Sequence, residues 1–566
     1  MAEANARDPH LNHWADQAAD RTIRAHPKAT TIAVAAGITP SGVVHIGNFR
    51  EVITVDLVAR ALRDRGLPVR FIYSWDDFDH MRKVPKDAPQ QELLQQNLGC
   101  SIADVPDPWG EHDSYASHHI ASFEASLGGL GIAPEFIRQH RQYRNGAYAE
   151  GIRKALAASD TIREILNDAR REHGAHKLLA DDWLPLAGFC DQCGKNELRF
   201  SWDGQWGVHY DCQHCGHSQD VDLRKGGNLK LPWRVDWPMR WAHEQVAFEP
   251  GGKDHSSAGG SYDTAKRIVA AVYDWSAPQY VGYDFVSSKG QGGKLSSSRG
   301  GVVTVADCLA VYEPEVLRWL FASYRPNTEF AISFDLDVIK IYEDYDRAFR
   351  LAHEADDGGR KDKKRQAARR TMQLATVDHR RIEAGSPAPS LAGFRHLSVN
   401  LQLFDGDIER TRGYYEANGQ LGDDEARRRF EQRARCVWNW IEQYAPEDFR
   451  YRIRGEAVVR TVEGEHRTAL ARVVQALQAE RSRGDDPRAR DARLGARLKE
   501  LSGELAMPLK EFYPLVYDLL LSRDRGPKLS TLLATMGAER ALSLLEPSLG
   551  ADPGASESGP PSESEG

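Results

Sequence analysis

Apolar positions in the first hundred residues follow two periods in turn. Thr31-Ile-Ala-Val-Ala-Ala36 is a short β-branched and apolar run, the pattern of a buried strand. Through Val52, Ile53, Val55, Leu57, Val58 and Leu62 the apolar positions recur at helical spacing, until Gly66-Leu-Pro68 stops the helix. Val69-Arg-Phe-Ile-Tyr73 then supplies a second strand, ending in Trp75-Asp-Asp77. Strand, glycine-containing loop, helix and strand make a βαβ unit, whose ligand crevice lies at the carboxyl ends of its strands.

Farther on the pattern changes. Residues 228–300 carry strand and glycine-rich signals again, with a strand over Tyr280-Val-Gly-Tyr-Asp-Phe-Val286, while Leu309 to Leu320 and Val338 to Ala352 have helical spacing. From 361 the chain is rich in Ala, Arg, Glu and Leu at that same spacing. The predicted fold is therefore α/β: a Rossmann-like nucleotide-binding domain split by an insertion and followed by an all-α domain. The expected divisions are a helical lead-in at 1–24, the first half of the Rossmann-like domain at 25–150, an insertion at 151–227 and its second half at 228–300. A stem at 301–340, a helical domain at 341–549 and a compositionally disordered tail at 550–566 complete the chain.

Composition narrows the function. The chain has 566 residues, enough for two to four domains, with 41% hydrophobic and 28% charged residues, as in soluble globular proteins. No apolar run approaches the ~20 residues of a membrane span, and residues 1–20 lack the apolar core of a secretory signal. The cytoplasm is the expected compartment, with no membrane partner. A net charge of −8 excludes a uniformly basic nucleic-acid binder and leaves only local basic patches. Of seven cysteines, four form Cys190-Asp-Gln-Cys193 and Cys212-Gln-His-Cys215. Two CxxC knuckles at this interval predict a closed, structural Zn²⁺ site rather than disulfides.

The loop Gly37-Ile-Thr-Pro-Ser-Gly-Val-Val-His-Ile-Gly-Asn48 joins the first strand to its helix. Gly42 and Gly47 admit close backbone approach, and His45 and Asn48 stand three apart at a helix start, where N–H groups favour phosphate. Lys294-Leu-Ser-Ser-Ser-Arg-Gly300 follows a glycine-rich run and has the residues to close over a polyphosphate. Asp76, Asp77 and Asp79 cluster at the second strand's end, suited to a cationic substrate group. Trp233, Asp236 and Trp237 pair aromatic faces with a carboxylate, which suits an alkylammonium ion. Asp107, Glu111, His112 and His118 are either a second divalent-metal site or surface histidines with nearby acids. Arginine-rich runs at 360–365, 427–435 and 481–497 read mostly as solvated faces, with Trp438 and Trp440 as candidate base-stacking residues.

Together these segments resemble the two signatures of class I aminoacyl-tRNA synthetases, the HIGH and KMSKS motifs, here His-Ile-Gly-Asn at 45–48 and Lys-Leu-Ser-Ser-Ser at 294–298. The closer resemblance is to class I lysyl-tRNA synthetases. It rests on Thr39-Pro-Ser-Gly…His-Ile-Gly-Asn-Phe-Arg-Glu51, Asp76-Asp-Phe-Asp79, Trp233-Arg-Val-Asp-Trp237 and Gly252-Lys-Asp-His-Ser…Gly-Gly-Ser261. The resemblance implies ATP-dependent activation of L-lysine and its transfer to tRNA-Lys, with Mg²⁺ assisting, by a protein expected to be a monomer. It implies catalysis by His45, Asn48, Lys294, Ser297 and Ser298. ATP contacts would come from Thr39, Pro40, Ser41, Gly42, His45, Gly47, Asn48, Asp254, His255 and Lys294. Amino-acid contacts would come from Gly37, Thr39, Asp77, Trp233, Asp236, His255 and Tyr283. It also supports zinc at Asp107, Glu111, His112 and His118, and implies that the helical domain reads the anticodon. Two positions depart from the class pattern. Asn48 replaces a histidine but keeps an N–H donor, and Ser297 stands where the second lysine of KMSKS usually is. Arginine is the rival amino acid, and a catalytically silent RNA-binding paralogue the rival of another kind.

Overall fold

The computed structural model describes residues 12–174, 177–256, 259–289, 302–481, 487–505 and 507–550. The chain divides into two compact units, one of residues 1–334 and 344–388, the other of 335–343 and 389–566.

The first unit is built on a five-stranded sheet in the order β10-β9-β1-β2-β3, with every pairing parallel. Its strands are β1 (Ile32–Ile38), β2 (Val69–Trp75), β3 (Glu135–Arg138), β9 (Val246–Gly252) and β10 (Gln279–Tyr283). β1 and β9 are almost wholly buried, so they read as continuous apolar runs rather than alternating ones, as strands covered on both faces do. The strand order reverses between β1 and β9, the topological switch point where such sheets bind ligands. Helix α1 (Trp14–Ala25) packs on α2 (Ile46–Arg63), and α2 lies against β1, β2 and β9. From Val52 to Leu62 every residue of α2 is buried.

Between β3 and β9 the chain leaves the sheet. A two-residue antiparallel clasp, β4 (Ala187–Gly188) with β8 (Leu229–Lys230), closes the base of a three-stranded antiparallel sheet. That sheet is β5 (Leu198–Trp202), β6 (Gly207–Cys212) and β7 (Ser218–Asp222). β11 (Val286–Lys289) and β12 (Phe330–Ser333) form a separate parallel pair.

Residues 344–388 were expected in the helical domain, and buried ion pairs place them in the first unit instead. On the helix Asp362–Ala375, Arg370 pairs with Asp16 at 2.7 Å and with Asp64 at 2.6 Å. Arg318, fully buried, pairs with Asp56 at 2.6 Å and donates to the carbonyls of Leu374 and Ala375. The second unit is helical, with a core from Leu470, Leu477, Phe512, Leu519 and Leu533 among others. There Trp440 is fully buried against Phe394 and Phe449, which corrects its reading as a base-stacking residue. Trp438 stays half-buried beside Arg450, Arg452 and Arg523, lining a cavity of about 360 Å³. Several arginines of the predicted runs pair with nearby acids, as with Arg365 on Asp357 and Asp362, Arg427 on Glu416, and Arg497 on Glu504. Among the described residues no helix is long and apolar enough to cross a membrane.

Candidate active site

A cavity opens at the switch point, lined by Ala35, Ala36 and Gly37 of β1, Ser74 of β2, Glu51 of α2 and Glu249 to Gly251 of β9. Trp233, Trp237, Arg240 and Trp241 of the helix Trp233–His243 line it as well, with Glu244 just past that helix, Asp76 and His255. A larger cavity of about 590 Å³ lies at the insertion. It is lined by Trp206 and Arg224, and the guanidinium groups of Arg153 and Arg224 lie over the Trp206 ring at 5.2 and 5.6 Å. Topology and buried charge favour the first cavity as the site of chemistry.

Its charge is acidic. Glu51 accepts the Gly37 N–H at 2.8 Å and the Tyr283 hydroxyl at 2.7 Å. Burial pushes its carboxyl up to about 8, with the charges of Glu249 and Asp76 adding to the rise. Glu249 accepts two indole N–H groups, from Trp237 at 3.0 Å and Trp241 at 2.6 Å, and burial raises it too. The Trp233 ring stacks on Trp237 at 5.1 Å and lies 5.5 Å from His255. Two carboxyls and three indole rings lining one cavity are complementary to an ammonium ion on an alkyl stem. A Cβ at Gly37 would stand 2.8 Å from the Ser74 carbonyl oxygen, so glycine is required there by close strand packing.

The acids expected to hold a cation are paired internally. Asp76 takes Arg240 at 2.8 Å, and Asp77 takes the His140 backbone N–H at 2.9 Å and its Nδ1 at 2.6 Å. Asp79 takes Lys230 at 2.8 Å. Asp236 is held by Arg240 at 3.0 Å and by the Tyr143 hydroxyl. Neither Asp77 nor Asp236 lines the cavity, whereas Asp76 does. Glu51 and Glu249 are the acids that sequence reasoning passed over. Glu249 had a signal, an acid inside the otherwise apolar run Val246-Ala-Phe-Glu-Pro250.

At the start of α2 the Asn48 side-chain oxygen Oδ1 accepts the His45 backbone N–H at 3.1 Å, which leaves the Asn48 side-chain NH₂ as a donor. His45 is exposed. A Cβ at Gly47 would lie 2.8 Å from the His45 ring, so this glycine makes room for the imidazole. Gly42 has open space where a Cβ would be. Thr39 donates to Asp79 at 3.0 Å, Ser41 offers its carbonyl to the Tyr115 hydroxyl at 3.0 Å, and Pro40 is buried between them in sequence. Lys294, Ser297, Ser298 and Arg299 lie outside the described residues, as does the side chain of Asp254. The chain just past that segment is bound to α2: the Ile46 N–H donates to the Val303 carbonyl at 2.8 Å, and His45 bridges Thr304.

The four cysteines converge. Cys190 Sγ stands 3.7 Å from Cys215 Sγ, and Cys193 Sγ 3.6 Å from Cys212 Sγ. A tetrahedron of thiolates ~2.3 Å from Zn²⁺ has edges of about 3.8 Å, whereas a disulfide would need about 2.05 Å. Gly194 and Gly216 follow the knuckles at φ +72° and +75°, the left-handed region glycine tolerates. Glu111, His112 and His118 also meet, with ligand atoms within 4.8 Å of one another. Asp107 instead accepts the backbone N–H groups of Trp109, Glu111 and His112, and lies 3.5 Å from His118 Nδ1.

A family model described as tRNA synthetases class I (K) matches residues 12–378, spanning the whole sheet and everything inserted in it. The chain belongs to this family. A lysine–tRNA ligase of Treponema pallidum is 42% identical over 539 residues, 93% of this chain and 97% of that protein. One of Pyrococcus furiosus is 39% identical, covering 93% and 98%. Among solved structures, a glutamate–tRNA ligase of Elizabethkingia meningosepticum aligns at a TM-score of 0.40 and 12% identity, covering 92% of this chain and 99% of that one. That likeness is too loose to carry an argument.

Proposed function

We propose that this family member is a lysine–tRNA ligase that activates L-lysine with ATP and transfers it to tRNA-Lys. The observation carrying the amino-acid assignment is the pair Glu51 and Glu249, which line one cavity at the switch point with the indoles of Trp233, Trp237 and Trp241. The lysine ε-ammonium enters there, and its carboxylate stays at the sheet's carboxyl edge, where it attacks the α-phosphate of ATP. Lysyl-adenylate forms as the bond to pyrophosphate breaks. The 2′-hydroxyl of the terminal ribose then attacks the lysyl carbonyl, the acyl–phosphate bond breaks, and AMP leaves with the hydroxyl proton taken up by its phosphate or by water. Charge builds on phosphate oxygens, so His45, Asn48 and the N–H groups opening α2 act by electrostatic stabilisation and positioning. Lys294, Ser297 and Ser298 hold the leaving pyrophosphate, and Mg²⁺ accompanies the nucleotide.

Gly37, Thr39, Trp233, His255 and Tyr283 surround the amino acid in this reading, with Asp77 and Asp236 supporting the walls from behind. Pro40, Ser41, Gly42, Gly47 and Asp254 belong to the nucleotide side. Cys190, Cys193, Cys212 and Cys215 hold a structural Zn²⁺. Glu111, His112 and His118 hold a second one, with Asp107 shaping their turn. The helical unit reads the anticodon, and Trp438 is its candidate stacking residue. The protein works as a monomer in the cytoplasm.

ATP–pyrophosphate exchange with each amino acid, with and without bulk tRNA, tests the reading. Exchange with lysine alone supports it. Exchange with arginine names the rival substrate, and no exchange under any condition leaves a silent paralogue.

A further inference from the structure

The clasp that closes the zinc-ribbon insertion ends on Lys230, which is 9% exposed. Its Nζ donates to the Phe78 carbonyl at 2.9 Å and to Asp79 Oδ1 at 2.8 Å. The other oxygen of that carboxylate, Oδ2, accepts the Thr39 hydroxyl at 3.0 Å. Ammonium, carboxylate and hydroxyl thus form one chain from the base of the insertion to the loop between β1 and α2.

The chain has a fixed polarity. An ammonium only donates, and an ionised carboxylate only accepts. Burial acts to raise the Asp79 carboxyl, yet the Lys230 charge and the hydrogen bonds from Lys230 and Thr39 bring it below its ordinary value. The Thr39 hydrogen is therefore committed to Asp79, and the oxygen lone pairs are left for another partner. Were Lys230 absent, Asp79 could take up a proton and donate, and the hydroxyl could reverse.

We infer that Lys230 is a positioning residue: through Asp79 it turns the Thr39 hydroxyl so that the loop presents an acceptor to the α-ammonium of the amino acid. This rests on the synthetase reading above. Once the ε-ammonium lies between Glu51 and Glu249, the head group sits toward the carboxyl edge, two residues from Gly37. Of its two groups only the α-ammonium donates, and the carboxylate must stay free to attack phosphorus. The insertion thereby reaches the substrate without touching it.

A double-mutant cycle in lysine-dependent exchange separates this role from simple stabilisation. Lys230→Met and Thr39→Val should each lower kcat/KM for lysine about tenfold and leave the KM for ATP unchanged. The double variant should be no worse than Thr39→Val, and Lys230→Arg should recover most of the loss. Should Lys230→Met not fold, Asp79→Asn takes its place in the same cycle. A double variant whose loss is the product of the two single losses overturns the inference, as does a folded Lys230→Met with unchanged kcat/KM. A wild-type chain without lysine-dependent exchange overturns the synthetase reading itself, and this inference with it.

Discussion

Tyr283 Oη stands 2.7 Å from Glu51 Oε2 and donates to it, joining the last residue of β10 to the second turn of α2. The phenol and the Gly37 N–H between them fix both carboxylate oxygens. Glu51→Gln keeps the shape but cannot give up a proton to become the carboxylate that pairs with an incoming ε-ammonium. Lysine-dependent exchange should fall ~10²-fold or more, chiefly through KM for lysine. Unchanged KM for lysine in this variant would move the ammonium site elsewhere.

The same variant should behave oppositely in stability. Folded Glu51 titrates near 8, against about 4.5 for an unperturbed glutamate. The folded state keeps a proton that the unfolded chain has lost, so this group's contribution is complete below about 4.5 and is lost as pH rises through about 8. A glutamine cannot ionise. The Tm of Glu51→Gln minus that of wild type, without substrates, should therefore grow from pH 6 to pH 9. A difference independent of pH would argue against a buried, protonated Glu51.

Metal analysis should resolve two zinc sites. Cys212→Ser should lose one zinc per chain and destabilise the ribbon, while His118→Ala should lose a different one and leave the ribbon intact. Full zinc content in Cys212→Ser would reject the thiolate tetrahedron.

Lys294→Ala should slow activation ~10²-fold, about 3 kcal/mol of transition-state binding. Pyrophosphate exchange near the wild-type rate would remove Lys294 from the machinery.

In the helical unit the two neighbouring tryptophans should part company. Trp440→Ala should cost about 3–5 kcal/mol of stability, read by denaturant unfolding. Trp438→Ala should cost little stability and raise the KM for tRNA-Lys about tenfold in aminoacylation. An unchanged tRNA KM would free Trp438 from any RNA role.

Local groupings of residues were legible from residue order. The β1 loop and its helix, the two CxxC knuckles and the Trp233 to Trp241 cluster are each spelled within a few residues. What escaped depends on partners distant in sequence. Nothing near Asp77 announces His140, and nothing near Asp79 announces Lys230, so their acids looked available for substrate. Glu51 was hidden differently: α2 is buried through most of its length, and periodicity cannot single out one face of a helix covered all round. The edge of the helical domain was misplaced because Arg370 finds its carboxylate partner, Asp16, 354 residues earlier in the chain.

β1 pairs with β9 through Ala33 and Val246, and between them come two more strands, the ribbon and several helices. During synthesis, one side of the central strand must wait for its neighbour while all of that is made, on the order of ten seconds or more at ribosomal speeds. An open hydrogen-bonding rim for so long invites association with other nascent chains. The wall that would grip lysine is thus among the last parts of the sheet to exist, and a truncated nascent chain carries the nucleotide loop with nothing opposite it.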